Sequence, residues 1–379
     1  TVPAINIRGL TYDTARAVFR AAKKLNAGLL IIEIARSEIG YTDQRPAEYS
    51  AVVLGAAIKE GYQLPVFIQG DHFQINGKRY TENPQKEIKG AQDIIKEAIE
   101  GGFLNIDIDT STLVDLSKPT IKEQQETNYR VASDTTKFIR RLEPKGVTIA
   151  LGGEIGEIGG KNSTEEELRA YLAGYYETVG KLTGVSKVAV QTGTTHGGVP
   201  LPDGKIAQVK LDFDTLERLG KVAQKEFNLA GCVQHGASTL PPELFDKFPK
   251  VETAEIHLAT EFQNIIMDNP AFPSELRNEM FEYCKKELAS ERKSTDTDQQ
   301  FFYKARKKAN GPFKRQMWSI SDSGRQTITD ELEKKFSFLF DKLNIRNTSS
   351  HIKKYIKPAD VPVNLPASSG VKEIFEGAD

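Results

Sequence analysis

The sequence predicts an α/β fold with a parallel sheet. Two observations lead to this prediction: eight short apolar runs recur between residues 3 and 258, and segments of helical period separate them. Eight repeats over this length favour a closed (β/α)8 TIM barrel over an open doubly wound sheet. The apolar runs are residues 3–7, 28–35, 65–69, 103–108, 147–151, 187–191, 229–234 and 254–258.

The first units of this pattern each pair an apolar run with a segment of helical period. Residues 11–25 follow the first run and carry their apolar side chains on one helical face. The second run, residues 28–35, is apolar except for Glu33, as expected for a strand that is buried on both faces. A predicted helix over residues 48–60 leads to the third run, and each later run is followed by a segment that can form a helix.

The chain changes character after the eighth run. We predict a catalytic barrel over residues 1–270, a helical C-terminal extension over residues 271–356 and a loosely packed tail over residues 357–379. A basic segment over residues 304–315 interrupts the extension. It is either a solvated helical face or an arm that reaches a substrate phosphate.

Composition excludes several classes of function. The 379 residues carry a net charge of -1, so the chain has no general attraction for nucleic acid or anionic lipid. Cys232 and Cys284 are too few for a disulfide framework, and the sequence shows neither a signal peptide nor a long apolar span. These features predict a cytoplasmic protein with no nucleic-acid or membrane partner.

Histidines mark the ends of the predicted strands. The chain has five, and four of them lie at or just beyond an apolar run: His72, His196, His235 and His257. The active sites of (β/α)8 barrels lie at the carboxyl ends of the strands. Imidazole is a common metal ligand, so several imidazoles and a carboxylate such as Glu154 predict a divalent-metal site there.

Four segments resemble those of the class II, metal-dependent fructose-bisphosphate aldolases in order and spacing. The resemblance covers residues 1–263, and residues 40–72 are also similar to the accessory subunits of tagatose-bisphosphate aldolases. The four segments are Gly70 to His72 (GDH), Glu154 to Gly160 (EIGEIGG), Gly193 to Gly197 (GTTHG) and His235 to Ser238 (HGAS).

The resemblance implies a role for each matching residue. His72, His196 and His235 match ligands of a catalytic zinc, for which another divalent metal can stand in. Glu154 and Asp109 match carboxylates that can also hold metal, and Asp71 matches the residue that exchanges a proton with the substrate C4 hydroxyl. The positions that match substrate contacts are Asn6, Gly197, Gly236, Ser238 and Thr260.

The resemblance also implies the partners of the protein. These are a phosphorylated ketose and triose phosphates, an assisting monovalent cation, and further copies of the chain in a dimer or tetramer. The chemistry requires stabilisation of an enediolate, which a divalent cation provides as a Lewis acid. A carboxylate such as Asp71 serves as base in cleavage and as acid in condensation.

Several of these residues also have structural interpretations. Asp71 with His72 could anchor a loop by hydrogen bonding, and Glu154 could be a charged strand end that pairs with a neighbouring cation. Asp107 could take the place of Asp109. The glycines could form tight turns, and Ser238 and Thr260 could cap helices.

The chain departs from the aldolase pattern on the loop after Glu154. Family members usually carry a Glu-Asp pair there, whose Glu exchanges the donor proton, but this chain has Asn162 and Ser163. A glutamate within residues 165–167 could substitute for that base. Ser163 and Glu166 also form a predicted capping box for the next helix.

Further departures concern the phosphate and donor sites. Pro200 stands where a phosphate-contacting lysine is common, with Lys205 as a candidate replacement. The Asn-x-Asp-Thr of the family is His257 to Thr260 here, so the acid is replaced by Ala259, and the usual serine after the second strand is Ala35. His257 could donate a hydrogen bond to the enediolate.

We therefore expect reversible cleavage of fructose 1,6-bisphosphate, or of a closely related ketose phosphate, into dihydroxyacetone phosphate and glyceraldehyde 3-phosphate. Two alternatives stay open. A metal-dependent ketose epimerase would use similar chemistry and keep both halves of the substrate. A non-catalytic accessory subunit of a tagatose-bisphosphate aldolase would have no evident use for three metal-ligating histidines.

Overall fold

Eight parallel strands close into a barrel in the computed structural model, in the order β1 to β8 with β8 paired to β1. The predicted (β/α)8 TIM barrel is confirmed. The structure describes residues 1–156, 160–193, 200–201, 211–359 and 361. The strands are β1 Val2–Asn6, β2 Ile31–Ala35, β3 Phe67–Gln74, β4 Asn105–Asp109, β5 Ala150–Glu154, β6 Lys187–Ala189, β7 Cys232–Gln234 and β8 Glu255–Leu258.

Helices follow the strands and surround the barrel, but β7 leads only to the one-turn helix α9. The helices up to the end of the barrel are α1 Thr11–Lys24, α2 Arg36–Tyr41, α3 Pro46–Glu60, α4 Gly77–Glu82, α5 Pro84–Glu100, α6 Ile121–Leu142, α7 Glu165–Val179, α8 Phe213–Phe227, α9 Lys247–Lys250 and α10 Thr260–Met267. The extension contains α11 Ser274–Glu287, α12 Asp298–Ala305, α13 Lys314–Trp318, α14 Asp322–Lys342 and α15 Ser349–Tyr355.

The helical extension packs against the barrel and shares its core. Ile328, Leu332 and Phe336 of α14 are fully buried and belong to the same apolar cluster as the barrel side chains. An ion pair from Arg20 Nε on α1 to Glu333 Oε2 on α14, 2.6 Å long, lies at this contact. Within the described ranges, every helix is too short or too polar to cross a membrane.

Strand β3 runs further than the sequence indicated. It continues to Gln74, so Asp71 and His72 lie inside the strand. The register against β4 shifts between Gly70 and Phe73, and His72 has a φ of 39°. Such a bulge places an extra residue in one strand and redirects its side chains, which allows two consecutive residues to reach the barrel interior.

The capping box predicted for α7 was displaced by one residue. Thr164 is the N-cap, and its hydroxyl accepts a hydrogen bond from the backbone N–H of Glu167 while the Glu167 side chain accepts one from Thr164 N. Ser163 instead pairs with Gln191: Ser163 N donates to the Gln191 carbonyl, and Ser163 Oγ accepts from Gln191 N. The prediction of Ser163 with Glu166 was therefore wrong, because Ser163 is committed to the loop after β6.

Candidate active site and metal centre

The candidate site lies at the carboxyl ends of the barrel strands. Asp109 and Glu154 are the last residues of β4 and β5, His235 directly follows β7, and His257 lies in β8. All four are buried, as is Asp71 on β3. Closure of the barrel thus brings these side chains together from five strands. His196 and Gly197 lie outside the described residues.

His72 is bonded to two carboxylates. Its Nδ1 lies 3.0 Å from Asp109 Oδ2 and 3.2 Å from Glu154 Oε2. Asp109 is itself held in place, because Gln74 Nε2 donates to its Oδ2 over 2.7 Å and Ser111 Oγ donates to its Oδ1 over 2.7 Å. Although burial opposes ionisation, the hydrogen bonds from His72, Ser111 and Gln74 lower the pKa of Asp109.

A second group of donors shares His72. The rings of His72 and His235 contact each other with centroids 4.1 Å apart and planes tilted by 40°. Asp71 Oδ1 lies 3.8 Å from His72 Nε2 and 4.0 Å from His235 Nδ1. The described part of the chain offers three donor groups, and two of them share His72: Asp71 with His72 and His235, and His72 with Asp109 and Glu154. The third joins Glu33, Asp71, Asp107 and His257.

These donor groups suit a divalent cation. In each group the imidazole nitrogens and carboxylate oxygens lie within 4.8 Å of one another, and both atom types are ligands for zinc and similar metals. Burial and repulsion by Asp109 raise the pKa of Glu154 to about 8. A cation would offset both effects by favouring the ionised carboxylate, so the residues fit a metal ion.

Asp71 is held from two sides. Asn6 Nδ2 donates to Asp71 Oδ2 over 3.1 Å, and His257 Nδ1 lies 2.9 Å from Asp71 Oδ1. The other ring nitrogen of His257, Nε2, lies 2.8 Å from Glu255 Oε1. Both nitrogens of His257 therefore face carboxylates of this chain.

A buried polar network lies below these residues in the barrel, and the sequence analysis did not predict it. Lys187 Nζ bonds to Glu255, donates to Gln69 Oε1 over 2.7 Å and lies 3.2 Å from Asp107 Oδ1. Gln69 Nε2 also donates to Glu33 Oε2 over 2.9 Å. A polar residue inside an apolar run could have indicated this network, but the sequence analysis identified such a residue only at Glu33.

The ammonium group of Lys187 is unsuited to forming a Schiff base. Burial alone would lower the pKa of Lys187, but the carboxylates of Asp107 and Glu255 outweigh it and raise that pKa. The amine therefore stays protonated and is a poor nucleophile. Lys187 acts as an internal positive charge within the barrel.

The predicted phosphate positions lie after β7 and β8. Gly236 has a φ of 66°, a backbone conformation that favours glycine. Ser238 Oγ accepts a hydrogen bond from Glu261 N over 3.3 Å, and Thr260 begins α10. Arg8 Nη1, which the sequence analysis also missed, donates to Thr260 Oγ1 over 3.3 Å. A lone arginine after a strand carries no motif that would have revealed it.

The loop that departs from the aldolase pattern is bonded to neighbouring loops. Asn162 Nδ2 donates over 3.0 Å to Asp212 Oδ2, in the loop before α8. Glu165 pairs with Arg169 of its own helix, α7, over 3.0 Å. The backbone carbonyl of Pro200 accepts from Gln300 Nε2 over 2.8 Å. Lys205 lies outside the described residues.

Cations of the basic segment pair with acids of this same chain. Lys308 lies 3.0 Å from Glu291, and the Arg306 guanidinium donates to both carboxylate oxygens of Asp268. Further pairs join Lys304 to Asp296 and Lys314 to Glu48. This segment is tied to the chain's own surface by these pairs.

The chain is similar to proteins of known family and structure. A family model described as fructose-bisphosphate aldolase class-II matches residues 1–340. A fructose-bisphosphate aldolase from Campylobacter jejuni is 20% identical, with 92% of this chain and 91% of that chain covered and a TM-score of 0.52. A fructuronate-tagaturonate epimerase from Cohnella laeviribosi is 12% identical, with 91% and 81% covered and a TM-score of 0.62. No curated protein sequence matches this chain.

Proposed function

The chain belongs to the class-II fructose-bisphosphate aldolase family, and from this membership and the site geometry we propose that it is a zinc-dependent aldolase. It cleaves fructose 1,6-bisphosphate, or a closely related ketose phosphate, reversibly into dihydroxyacetone phosphate and glyceraldehyde 3-phosphate. The single observation that carries the proposal is the position of Asp71, a candidate proton carrier, beside two candidate metal ligands. Asp71 Oδ1 lies within 4.0 Å of His72 Nε2 and of His235 Nδ1.

The metal would be held by His72, His235 and His196, the last of which follows β6 in the sequence. Asp109 and Glu154 are the carboxylates that would complete the set or hold the metal in a second position. The chemistry that a bound divalent cation supplies is stabilisation of the negative charge that develops on the donor half of the substrate. Gln74 and Ser111 orient Asp109, as expected for residues that support a metal ligand.

Asp71 is the proposed general base for cleavage and acid for condensation. In cleavage it removes the proton from the C4 hydroxyl as the bond between C3 and C4 breaks, and in condensation it returns that proton. Asn6 and His257 hold one carboxylate oxygen each, so the carboxyl group cannot rotate away from the substrate. In this arrangement His257 acts by positioning Asp71.

The phosphate of the donor half would lie against the loops after β6, β7 and β8. The proposed contacts are Gly197, the N–H group of Gly236, and the hydroxyls of Ser238 and Thr260. In (β/α)8 barrels, loops after the seventh and eighth strands and the start of a nearby helix frequently bind phosphate, which supports this placement.

One observation favours the epimerase as a second candidate. Asn162 and Ser163, which replace the usual donor-proton base, are bonded to Asp212 and Gln191. Cleavage followed by rejoining on the opposite face would change the configuration at C4 without proton transfer at the donor carbon. The Cohnella protein, which is described as a fructuronate-tagaturonate epimerase, has a similar fold.

We further propose a cytoplasmic homo-oligomer, a dimer or tetramer, with a monovalent cation as an assisting ion. Cys232 and Cys284 are unpaired and buried, in keeping with a reducing compartment. Family resemblance supports the oligomer and the monovalent cation.

Product analysis separates the candidates. Metal-loaded protein is incubated with fructose 1,6-bisphosphate and the products are followed by NMR, with and without an enzyme that removes triose phosphates. The aldolase produces both trioses, and their removal drives the ketose to exhaustion. Accumulation of tagatose 1,6-bisphosphate without trioses would establish the epimerase, and no change in the ketose would reject both.

A further inference from the structure

Arg8 follows strand β1, two residues beyond its last residue, Asn6. Side chains of an extended chain alternate between its two faces, and Asn6, two residues earlier, reaches Asp71 in the barrel interior. Arg8 therefore projects from the carboxyl end of β1 toward the mouth of the barrel, and its contact with Thr260 after β8 agrees with this direction.

Three loops meet beside this guanidinium. Arg8 Nη1 donates to Thr260 Oγ1 over 3.3 Å, and Ser238 Oγ accepts from Glu261 N over 3.3 Å. The loops after β1, β7 and β8 thus bring one guanidinium and two hydroxyls to the first turn of α10. Such a combination of donors suits an anion with several oxygen atoms.

The guanidinium is fixed in advance by the loop after β2. Its Nε bonds to Glu38, whose other carboxylate oxygen accepts from the backbone N–H of Ala35 over 2.9 Å. Tyr41 hydroxyl also donates to Glu38 over 3.4 Å. Since Glu38 is bound from three directions, Arg8 loses little conformational freedom when a ligand binds.

Two carboxylates beside this position, Glu38 and Glu261, are each paired with a cation, and Glu38 offsets part of the charge of Arg8. Glu261, the acid in the first turn of α10, is paired with Lys335 over 3.1 Å. The residue before Thr260 is Ala259, so no carboxylate stands at that position. The Arg8 side chain keeps 11% of its surface exposed, so a ligand can reach it.

We propose that Arg8, with the hydroxyls of Ser238 and Thr260, binds the phosphate on the donor half of the substrate and supplies the cation that is missing at Pro200. The proposal rests on the proposed function for the choice of a sugar phosphate, and it adds a residue and a charge to the site. It makes the protein selective for a phosphorylated substrate over the same sugar without phosphate.

Binding measurements on the full chain test this assignment without turnover. The probes are inorganic phosphate, dihydroxyacetone phosphate, dihydroxyacetone and acetate, with affinities measured by calorimetry. Arg8→Gln should weaken binding of both phosphate probes about tenfold or more, and Arg8→Lys should recover part of the loss. Arg20→Gln is the matched control, because Arg20 is ion-paired to Glu333 on the outside of the barrel.

The outcomes separate this proposal from the proposed reaction. Arg8-dependent phosphate binding supports the assignment even in a protein that cleaves no ketose. Equal phosphate affinity in Arg8→Gln and Arg20→Gln would overturn it, whatever the activity. Acetate binding as tight as phosphate binding, and equally dependent on Arg8, would overturn the choice of phosphate. If Arg8→Gln fails to fold, Arg8→Lys replaces it in the comparison. Lysine lacks the planar guanidinium group, so wild-type phosphate affinity in Arg8→Lys would count against the assignment.

Discussion

His257 Nδ1 lies 2.9 Å from Asp71 Oδ1, and this contact ties the candidate acid-base residue to the interior of the barrel. The chain of contacts continues from His257 Nε2 to Glu255 and from Glu255 to Lys187. All four side chains are buried. Asp71, the candidate proton carrier on β3, is thereby held by residues from β6 and β8.

Replacing His257 should lower kcat more than it changes KM. His257→Ala removes the support of Asp71, and we expect a fall in kcat of about 100-fold, since misplacement of a reacting group by about 1 Å has effects of this size. His257→Asn keeps one donor toward Asp71 and should recover part of the loss. Steady-state kinetics check this, with His351→Ala, an exposed histidine of α15, as control. Unchanged kcat in His257→Ala would rule out positioning.

Loss of a candidate ligand should abolish tight metal binding. We expect His72→Ala and His235→Ala each to weaken metal binding by at least about 100-fold, because removal even of residues that only support ligands costs 10 to 100-fold. Metal content after gel filtration measures this, again with His351→Ala as control. Full metal content in either ligand variant would place the metal elsewhere.

Lys187 should be required for folding stability. Lys187→Met leaves the carboxylates of Asp107 and Glu255 without their buried cation, and breaking such a pair typically lowers the free energy of unfolding by about 3–5 kcal/mol. Lys221→Met breaks a surface pair with Glu217, and we expect a change below about 1 kcal/mol. Urea unfolding of both variants measures the difference. Equal stabilities would mean that the buried network contributes nothing.

Glu255 should make stability depend on acid pH. Burial opposes its ionisation, but Lys187 and His257 outweigh burial and lower the pKa of Glu255 from 4.5 to about 2. Because the folded-state pKa is depressed, the stabilisation is complete above pH 4.5 and is lost as the pH falls toward 2. The melting temperature of wild type should therefore fall more steeply over this interval than that of Glu255→Gln. Parallel curves would contradict the assigned charge pair.

The sequence sufficed for the barrel because eight apolar runs and their helices repeat so regularly. It also placed Asp109, Glu154 and His235 at strand ends, since parallel strands present their carboxyl ends on one side. It did not predict that β3 continues through His72, because a bulge depends on the neighbouring strand. The contacts of Lys187 with Gln69 and Glu255 join residues 118 and 68 positions apart, and only the closed barrel brings them together.

Contacts with distant parts of the chain also explain the smaller errors. Ser163 and Thr164 both fit the start of α7, and the choice was made by Gln191, which bonds to Ser163 from the loop after β6. Arg8 was overlooked because its partner Thr260 lies 252 residues away. Residue types alone do not reveal such pairs.

Triose phosphate release from fructose 1,6-bisphosphate tests the central claim most directly. It is measured in a coupled assay on metal-loaded protein, on chelator-treated protein and on metal-loaded Asp71→Asn, whose metal content is checked in parallel. The account predicts release by the metal-loaded wild type and its loss in both other samples, with recovery when metal is returned to the chelated protein. Release that persists without metal, or in Asp71→Asn at the wild-type rate, would contradict it.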